Sequence, residues 1–205
     1  MSDLSSPATP SHSLRVLFID LTRDRFGWEY ALAHSIFDKL KASGIKLASP
    51  EIIQPKSDEE YAAIVKREDL QFTALFLLAH GGEDPGDGNV SKVLTPSGKS
   101  DWYHLAALTS QCRNKLICLA VCYGSCEDTF QAFINSDLFA RVVVASKSKL
   151  SSEEANAFFP AFFEELSNSY PSDDPMTIKL CVDNNNHYAH DKMVCRILRL
   201  EDLLE

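Results

Sequence analysis

Short apolar runs alternate with segments of helical periodicity along most of the chain. The runs at 15–20, 73–79, 116–121 and 141–145 are almost continuously apolar, which is typical of parallel strands covered on both faces. Between them, apolar residues recur every three or four positions, the spacing of a helix that packs one face on a core. Such helices are predicted at 28–40, 61–65, 101–108, 127–134 and 155–166. This alternation predicts an α/β fold with a mostly parallel sheet and helices on both faces.

The ends of several elements follow from local signals. Ser57 and Ser151 are each followed three residues later by Glu, the form of a capping box, and therefore predict two helix N-termini. Five glycines and two prolines between 81 and 100 predict a long loop with room for a small hairpin. We expect further strands at 47–53 and 177–182. The amphipathic segment 193–204 fits a helix and a strand equally well.

The length and composition are those of one globular domain: 205 residues, 45% of them hydrophobic and 24% charged. We expect a flexible Ser- and Pro-rich leader over 1–13 and a single domain over 14–205. The leader contains no apolar block of the kind that a secretory signal needs, so we expect a cytoplasmic protein. In a cytoplasmic protein, the six cysteines of the chain are expected to be free thiols, with Cys118 packed in the core.

Charge and hydropathy exclude two classes of partner. The net charge of -9 at pH 7 repels nucleic acid and anionic membrane surfaces. The longest apolar run, 116–123, is far shorter than the roughly 18 residues that cross a bilayer. We therefore expect neither nucleic acid nor a membrane as a partner.

Two side chains suited to catalysis, those of His80 and Cys122, directly follow two apolar strands. The carboxyl ends of parallel strands meet at one edge of a sheet, so the two residues become neighbours if their strands are adjacent. A cysteine near a helix N-terminus and an imidazole is a suitable nucleophile. Gly81 and Gly124 leave backbone approachable there, where N–H groups can bind an oxyanion.

The order of strand, His-Gly, glycine-rich loop, short helix, strand and Cys resembles the caspase-like cysteine peptidases, the group of caspases, metacaspases and CHAT-domain proteases. The likeness is carried by LLAHG at 77–81, by LAVCYG at 119–124 and by the loop and helix at 86–105. The strand and helix start at 142–156 are most similar to CHAT proteins. The resemblance implies a caspase-like three-layer sandwich and a cysteine endopeptidase that uses no metal or organic cofactor.

The resemblance also implies roles for individual residues. Cys122 would attack the scissile carbonyl, His80 would protonate the leaving amine, and the backbone of Gly81 and Cys122 would bind the oxyanion before the acyl-enzyme is hydrolysed. Ala120 and Tyr123 stand where caspases carry Gln and usually Arg, so strict aspartate specificity is not expected.

Control by a partner is expected rather than activation by cleavage. Caspases carry a long cleavable linker after the catalytic Cys, whereas a helix nearly fills residues 123–140 here. The short leader and the lack of an appended recruitment domain also favour control by a partner. The expected partners are a protein or peptide substrate and a regulatory or activating protein, or another allosteric trigger.

Charged residues near the same sheet edge are candidates for binding the substrate. Arg23, Arg25 and Lys147 would favour acidic side chains, whereas Asp20 and Asp24 would favour basic ones. The sequence does not choose between these two preferences.

Alternatives from other classes stay open. A His and a Cys that end core strands are often only packed side chains, so the chain could be a caspase-like or CHAT scaffold that cleaves nothing. A flavodoxin-like binder of small ligands is a second alternative. A surface metal site at His187, His190 and Asp191 has no matching ligand pair elsewhere. His34 and His104 fall on predicted helices and are expected to be structural or solvated.

Overall fold

Two sheets organise the protein, which a computed structural model describes over residues 14–22, 27–83, 91–109, 116–136, 142–169 and 173–198. The strands in chain order are β1 Arg15–Asp20, β2 Lys46–Leu47, β3 Ala74–Leu78, β4 Gly81–Glu83, β5 Ser91–Thr95, β6 Gly98–Ser100, β7 Leu116–Ala120, β8 Val142–Ser146 and β9 Met193–Ile197. The predicted leader at 1–13 lies outside the described residues, as do 86–90 of the glycine-rich segment.

The central sheet has six strands in the order β2-β1-β3-β7-β8-β9. The pairs from β2 to β8 are parallel, and β9 alone runs antiparallel, beside β8. The smaller sheet, β4-β5-β6, is antiparallel and lies in the segment predicted to hold a hairpin.

Helices cover both faces of the central sheet. One face packs against α1 Trp28–Ala42, α5 Ser152–Asn168 and α6 Pro175–Asn185, and the other against α2 Asp58–Val65, α3 Trp102–Thr109 and α4 Glu127–Asn135. Side chains of β3 alternate between the two cores, Phe76 facing the first and Leu77 the second. This confirms the predicted three-layer α/β sandwich with a mostly parallel sheet.

The Phe-rich face of α5 fixes that helix on the sheet. Phe158, Phe159, Phe162 and Phe163 are fully buried, and the rings of Phe159 and Phe163 lie 4.8 and 6.0 Å from that of Phe76. Burying each such side chain contributes about 1.5–3 kcal/mol. The start of α5, which lies at the carboxyl edge of the sheet, is thereby held in place.

The predicted capping box is complete at α5, and its serine half is present at α2. The Ser151 side chain accepts from the Glu154 N–H, and the Glu154 carboxylate accepts from the Ser151 N–H at 2.7 Å. Ser57 caps α2 by accepting from the Glu60 N–H.

Two predicted strands are wrong. Segment 177–182 belongs to helix α6, because the Asp174 side chain accepts from the Thr177 N–H at 2.7 Å and Pro175 starts the helix. Segment 47–53 contributes only the end of β2 and one isolated bridge between Ile53 and Ile19. The undecided segment after 193 begins with the edge strand β9. Across the described ranges, no helix is long and apolar enough to span a bilayer.

Candidate functional site

The two candidate catalytic residues follow adjacent strands of the central sheet. Strand β3 pairs with β7 in parallel, and the register joins Ala74 to Leu116 and Leu78 to Ala120, residues 42 positions apart. His80 and Cys122 are also 42 positions apart, so each lies two residues beyond the last paired position of its strand. The structure thus places both at the carboxyl edge of the sheet.

Gly81 is in close contact with the backbone of Cys122. A Cβ atom built on Gly81 would lie 2.3 Å from the carbonyl oxygen of Cys122 and 2.5 Å from Cγ1 of Val121, and real Cβ contacts are essentially never under 3.0 Å. The His80 carbonyl accepts from the Leu94 N–H at 2.8 Å, so the backbone of His80 faces β5. Because successive residues of a strand face opposite edges, the Gly81 N–H points away from β5.

His80 is held by residues of the first turn of α1. Its Nε2 lies 3.2 Å from Oε1 of Glu29, whose side chain is only 11% exposed. The Trp28 ring stands edge-on to the imidazole, with the ring centroids 6.1 Å apart. Glu29 was not among the predicted site residues. Helix α1 follows β1 and therefore begins at the same sheet edge, but which of its residues reaches His80 depends on how the helix packs.

Cys122 lies on a sharp turn after β7. Tyr123 adopts the left-handed φ of 57°, and its N–H donates to the Ser148 carbonyl at 3.0 Å. A non-glycine residue in this conformation costs on the order of 1 kcal/mol, and such strain is concentrated at functional sites. The Cys122 thiol is half-buried and donates to the Leu150 carbonyl at 3.6 Å.

Burial affects three thiols that lie away from this turn. It raises the pKa of Cys118 well above its usual value and the pKa of Cys195 to about 12. Burial also raises the pKa of Cys181. No disulfide joins any two of the described cysteines, and Cys118 lies in the core as predicted.

A cavity, here called the edge pocket, opens beside His80 and Cys122. It encloses about 400 Å³, part of which is open to solvent. Its walls come from the strand ends, the start of α1 and the start of α5: Thr22, Trp28, Glu29, Leu32, Leu78, Ala79, His80, Ala120, Cys122, Leu150, Ser151, Ser152 and Ala155.

The loop at 147–151, which forms one wall of this pocket, is fixed by Lys192 of the turn before β9. The Lys192 ammonium donates to the Lys149 carbonyl at 3.0 Å and to Oε1 of Glu154 at 2.5 Å. Burial raises the pKa of Glu154, but the hydrogen bonds from Lys192 and Ser151 outweigh it and lower the pKa below its usual value. The Lys147 N–H donates to the Lys192 carbonyl at 2.9 Å.

Of the five predicted substrate-binding residues, one is buried, one is exposed and three lie outside the described residues. Asp20 is buried and accepts from the Thr22 N–H and hydroxyl at 2.9 and 2.7 Å and from Gln54 at 2.6 Å. These bonds fix the Asp20 carboxylate in the turn after β1, and its contact with substrate stays a prediction. Lys147 is exposed after β8, and its substrate contact stays a prediction. Arg23, Asp24 and Arg25 lie outside the described residues.

The remaining histidines on the described segments are engaged with their own surroundings. Nε2 of His104 lies 2.8 Å from the Asp58 carboxylate, and Nδ1 of His34 lies 3.0 Å from the Tyr30 carbonyl. Nδ1 of His187 lies 3.0 Å from the Asn184 carbonyl. Among the residues that the structure describes, no three His, Cys, Asp or Glu side chains cluster as metal ligands.

Comparison with known proteins gives a structural match. No family model matches the chain, and no curated protein matches it. A similar solved structure is the X-ray structure of an inactive zymogen of a C11 protease from Parabacteroides distasonis, with a TM-score of 0.59 and 12% sequence identity. The match covers 91% of this chain and 62% of that one, so this chain spans less than two thirds of that protein. The fold is caspase-like.

The caspase-like fold explains why the sheet edge carries the candidate site. In an open α/β sheet, ligands bind beyond the carboxyl ends of the strands. The edge pocket lies there, between the strand ends and the starts of α1 and α5. A fold alone does not define an activity, so the function has to be argued from the side chains at that edge.

Proposed function

We propose that the protein is a cysteine endopeptidase in which Cys122 is the nucleophile and His80 the acid–base group. The observation that carries this proposal is that both side chains line one pocket at the carboxyl edge of the sheet. The likeness to a C11 protease structure supports the same reaction class. Together these features favour amide hydrolysis over simple packing of the two residues.

The proposed reaction has two halves. Sγ of Cys122 bonds to the scissile carbonyl carbon, and the carbonyl electron pair moves to oxygen. His80 takes the thiol proton and gives it to the leaving amine as the C–N bond breaks, which leaves a thioester on Cys122. Water then attacks the thioester, loses a proton through His80 and releases the acid and the free thiol.

The backbone amides of Gly81 and Cys122 are the proposed oxyanion donors. The contact between Gly81 and the Cys122 carbonyl brings the two residues together, and the Gly81 N–H points away from β5. Loss of one such donor typically costs about 10²- to 10³-fold in rate. Gly81 would therefore serve both packing and catalysis.

Glu29 is proposed as a positioning residue for His80. Its carboxylate engages Nε2 of the imidazole, which leaves Nδ1 as the ring nitrogen for proton transfer. A buried carboxylate in this position fixes the ring orientation and stabilises the imidazolium that forms during the reaction. Glu29 does not itself exchange a proton with substrate in this scheme.

Control by a partner or allosteric trigger is part of the proposal. The Cys122 thiol donates a hydrogen bond to the Leu150 carbonyl, so its side chain has to turn away from that carbonyl before His80 can take the proton. Leu150 lies in the loop at 147–151, and a partner that moves this loop would raise the fraction of released thiol above that of the chain alone. The same bond favours the second candidate function, a caspase-like scaffold that cleaves nothing. A cytoplasmic location stays a prediction.

A digest of a peptide library tests the proposed activity. The wild-type chain and Cys122→Ala are compared with and without cell extract, which would supply a missing activator. We expect cleavages that depend on the wild-type chain and that disappear in Cys122→Ala and His80→Ala. Identical products from wild type and Cys122→Ala, or none from either with extract present, would overturn the peptidase and favour the scaffold.

A further inference from the structure

We propose that the edge pocket binds an uncharged, apolar side chain of the residue that supplies the scissile carbonyl. This inference rests on the proposed function, because it names the substrate class of the same site. The side chain next to the attacked carbonyl is the one nearest to Cys122. Since Cys122 and His80 both line the pocket, that side chain enters it.

The pocket walls are mainly hydrocarbon. Leu32, Leu78, Ala120 and Ala155 are buried residues of the core on the α1 and α5 side, so this cavity is continuous with that core. Ala120 and Ala155 have small side chains and leave space where the strand and helix meet. An aliphatic side chain that fills this space removes apolar surface from water, which contributes about 25 cal/mol per Å².

Trp28 provides an apolar surface at the rim of the pocket. Its side chain lines the cavity and yet is 59% exposed, whereas Trp102, the other tryptophan, is 1% exposed. Tryptophan is enriched at binding interfaces, where burial of its ring removes a large apolar area from water. A substrate side chain that covers the Trp28 ring would remove that ring from water. The ring would then be buried between His80 and the pocket.

The charges of the pocket disfavour ionised side chains. None of its described lining residues is Lys or Arg, so an acidic side chain would meet no cation from them and would face the Glu29 carboxylate. A basic side chain that paired with Glu29 would compete with His80 for this carboxylate, whose Oε1 is 3.2 Å from Nε2 of His80. An uncharged side chain avoids both costs.

Binding to the catalytically inert Cys122→Ala chain tests this inference independently of cleavage. Three peptides are titrated calorimetrically. They differ only in the residue before the scissile amide bond, which is Leu, Asp or Lys. We expect the Leu peptide to bind about 10-fold more tightly than the other two. Preference for Asp or Lys, equal binding of all three, or no binding of the Leu peptide would overturn the apolar pocket. None of these outcomes bears on the library digest, which tests the peptidase itself.

Two pairs of variants in the Cys122→Ala background place the binding in the edge pocket. Trp28→Ala should weaken the Leu peptide about 10-fold, whereas Tyr30→Ala, on the same helix but outside the pocket, should not. Ser152→Lys adds a cation to the pocket and should raise the affinity for the Asp peptide roughly 2- to 5-fold.

Ser167→Lys is the matched control for the added charge. It lies at the far end of α5, is exposed and should leave the order of affinities unchanged. Equal effects of the two lysines would show that the bound side chain is not in the edge pocket. Unchanged affinity in Trp28→Ala would likewise contradict the proposed role of that ring.

Discussion

Gly81 and the carbonyl oxygen of Cys122 are so close that no Cβ atom fits between them. The built Cβ falls 2.3 Å from that oxygen, whereas a Cβ on the next residue, Gly82, meets nothing within 4 Å. The close approach joins the start of the small sheet to the turn that carries the candidate nucleophile. The glycine after His80 is therefore required by packing, whatever its part in the reaction.

Gly81→Ala should destabilise the fold and separate the two turns. Overpacking of this kind costs about 1–3 kcal/mol in the free energy of unfolding, and more if the backbone cannot move. Gly82→Ala is the matched control and should change stability by about 0.5 kcal/mol at most. Urea unfolding measures both variants, and equal stabilities would show that the contact with Cys122 is absent in solution.

Glu29→Ala should lower the kcat of the proposed peptidase about 100-fold while leaving KM nearly unchanged, because a misplaced imidazole impairs proton transfer but not peptide binding. Glu29→Gln keeps a hydrogen-bonding group beside His80 and should recover part of this loss. Steady-state kinetics on a substrate from the library digest measures both variants. A change confined to KM, or no recovery by Gln, would contradict the positioning role.

Lys192→Met should loosen the loop at 147–151 and thereby the α5 wall of the edge pocket. It removes the bonds to the Lys149 carbonyl and to the Glu154 carboxylate, which is buried. The Glu154 carboxylate then keeps its bond from the Ser151 N–H but loses its cation, which destabilises this wall. Lys179→Met is the control, because its pair with Asp183 is exposed. Hydrogen exchange of the loop amides should rise in the first variant alone, and unchanged protection would contradict the anchoring.

Asp58→Asn should reduce stability near neutral pH and much less in acid. Burial raises the pKa of Asp58, but hydrogen bonds from His104, Ser97 and Thr95 outweigh it and hold the pKa below its usual value. A carboxyl with a lowered folded pKa stabilises the fold above its unfolded pKa of about 3.9 and loses that contribution as the pH falls through the folded value.

Urea unfolding at pH 7 and at about pH 3 measures this dependence. The difference between wild type and Asp58→Asn should shrink between these two values. Asp69→Asn is the control, because Asp69 pairs with Arg67 in solvent, where such pairs stabilise little. A difference from wild type that stays constant with pH would show that Asp58 titrates alike in the folded and unfolded chain.

The sheet and the two candidate catalytic positions could be predicted because local signals and topology agree there. Strands β3 and β7 are continuous apolar runs, and parallel pairing carries the residues after them to one edge. Glu29 could not be singled out from the sequence, since an acidic residue in a first helical turn usually serves the helix dipole. Its contact with His80 depends on how α1 packs on the sheet.

The errors near the C-terminus have a similar cause. Segment 177–182 contains residues that favour strands, but the Asp174 cap and Pro175 start a helix whose buried residues, such as Ile178 and Val182, face the core beside α5. Tertiary burial therefore outweighs intrinsic propensity. The surroundings of Asp20 could not be predicted either, because its bonds to Thr22 and Gln54 depend on how the chain folds around the end of β1.

The rate at which a small thiol reagent alkylates Cys122 in the native chain measures whether His80 acts on this thiol. We expect the thiol of Cys122 to be alkylated faster than that of half-buried Cys126. In His80→Ala, we expect alkylation of Cys122 to be several-fold slower than in wild type. His104→Ala is a closely matched control, because His104 is 45% exposed beside a buried carboxylate, as His80 is at 44%. We expect His104→Ala to leave the alkylation rate of Cys122 unchanged. Equal rates at Cys122 in wild type and His80→Ala would contradict the action of His80 on this thiol.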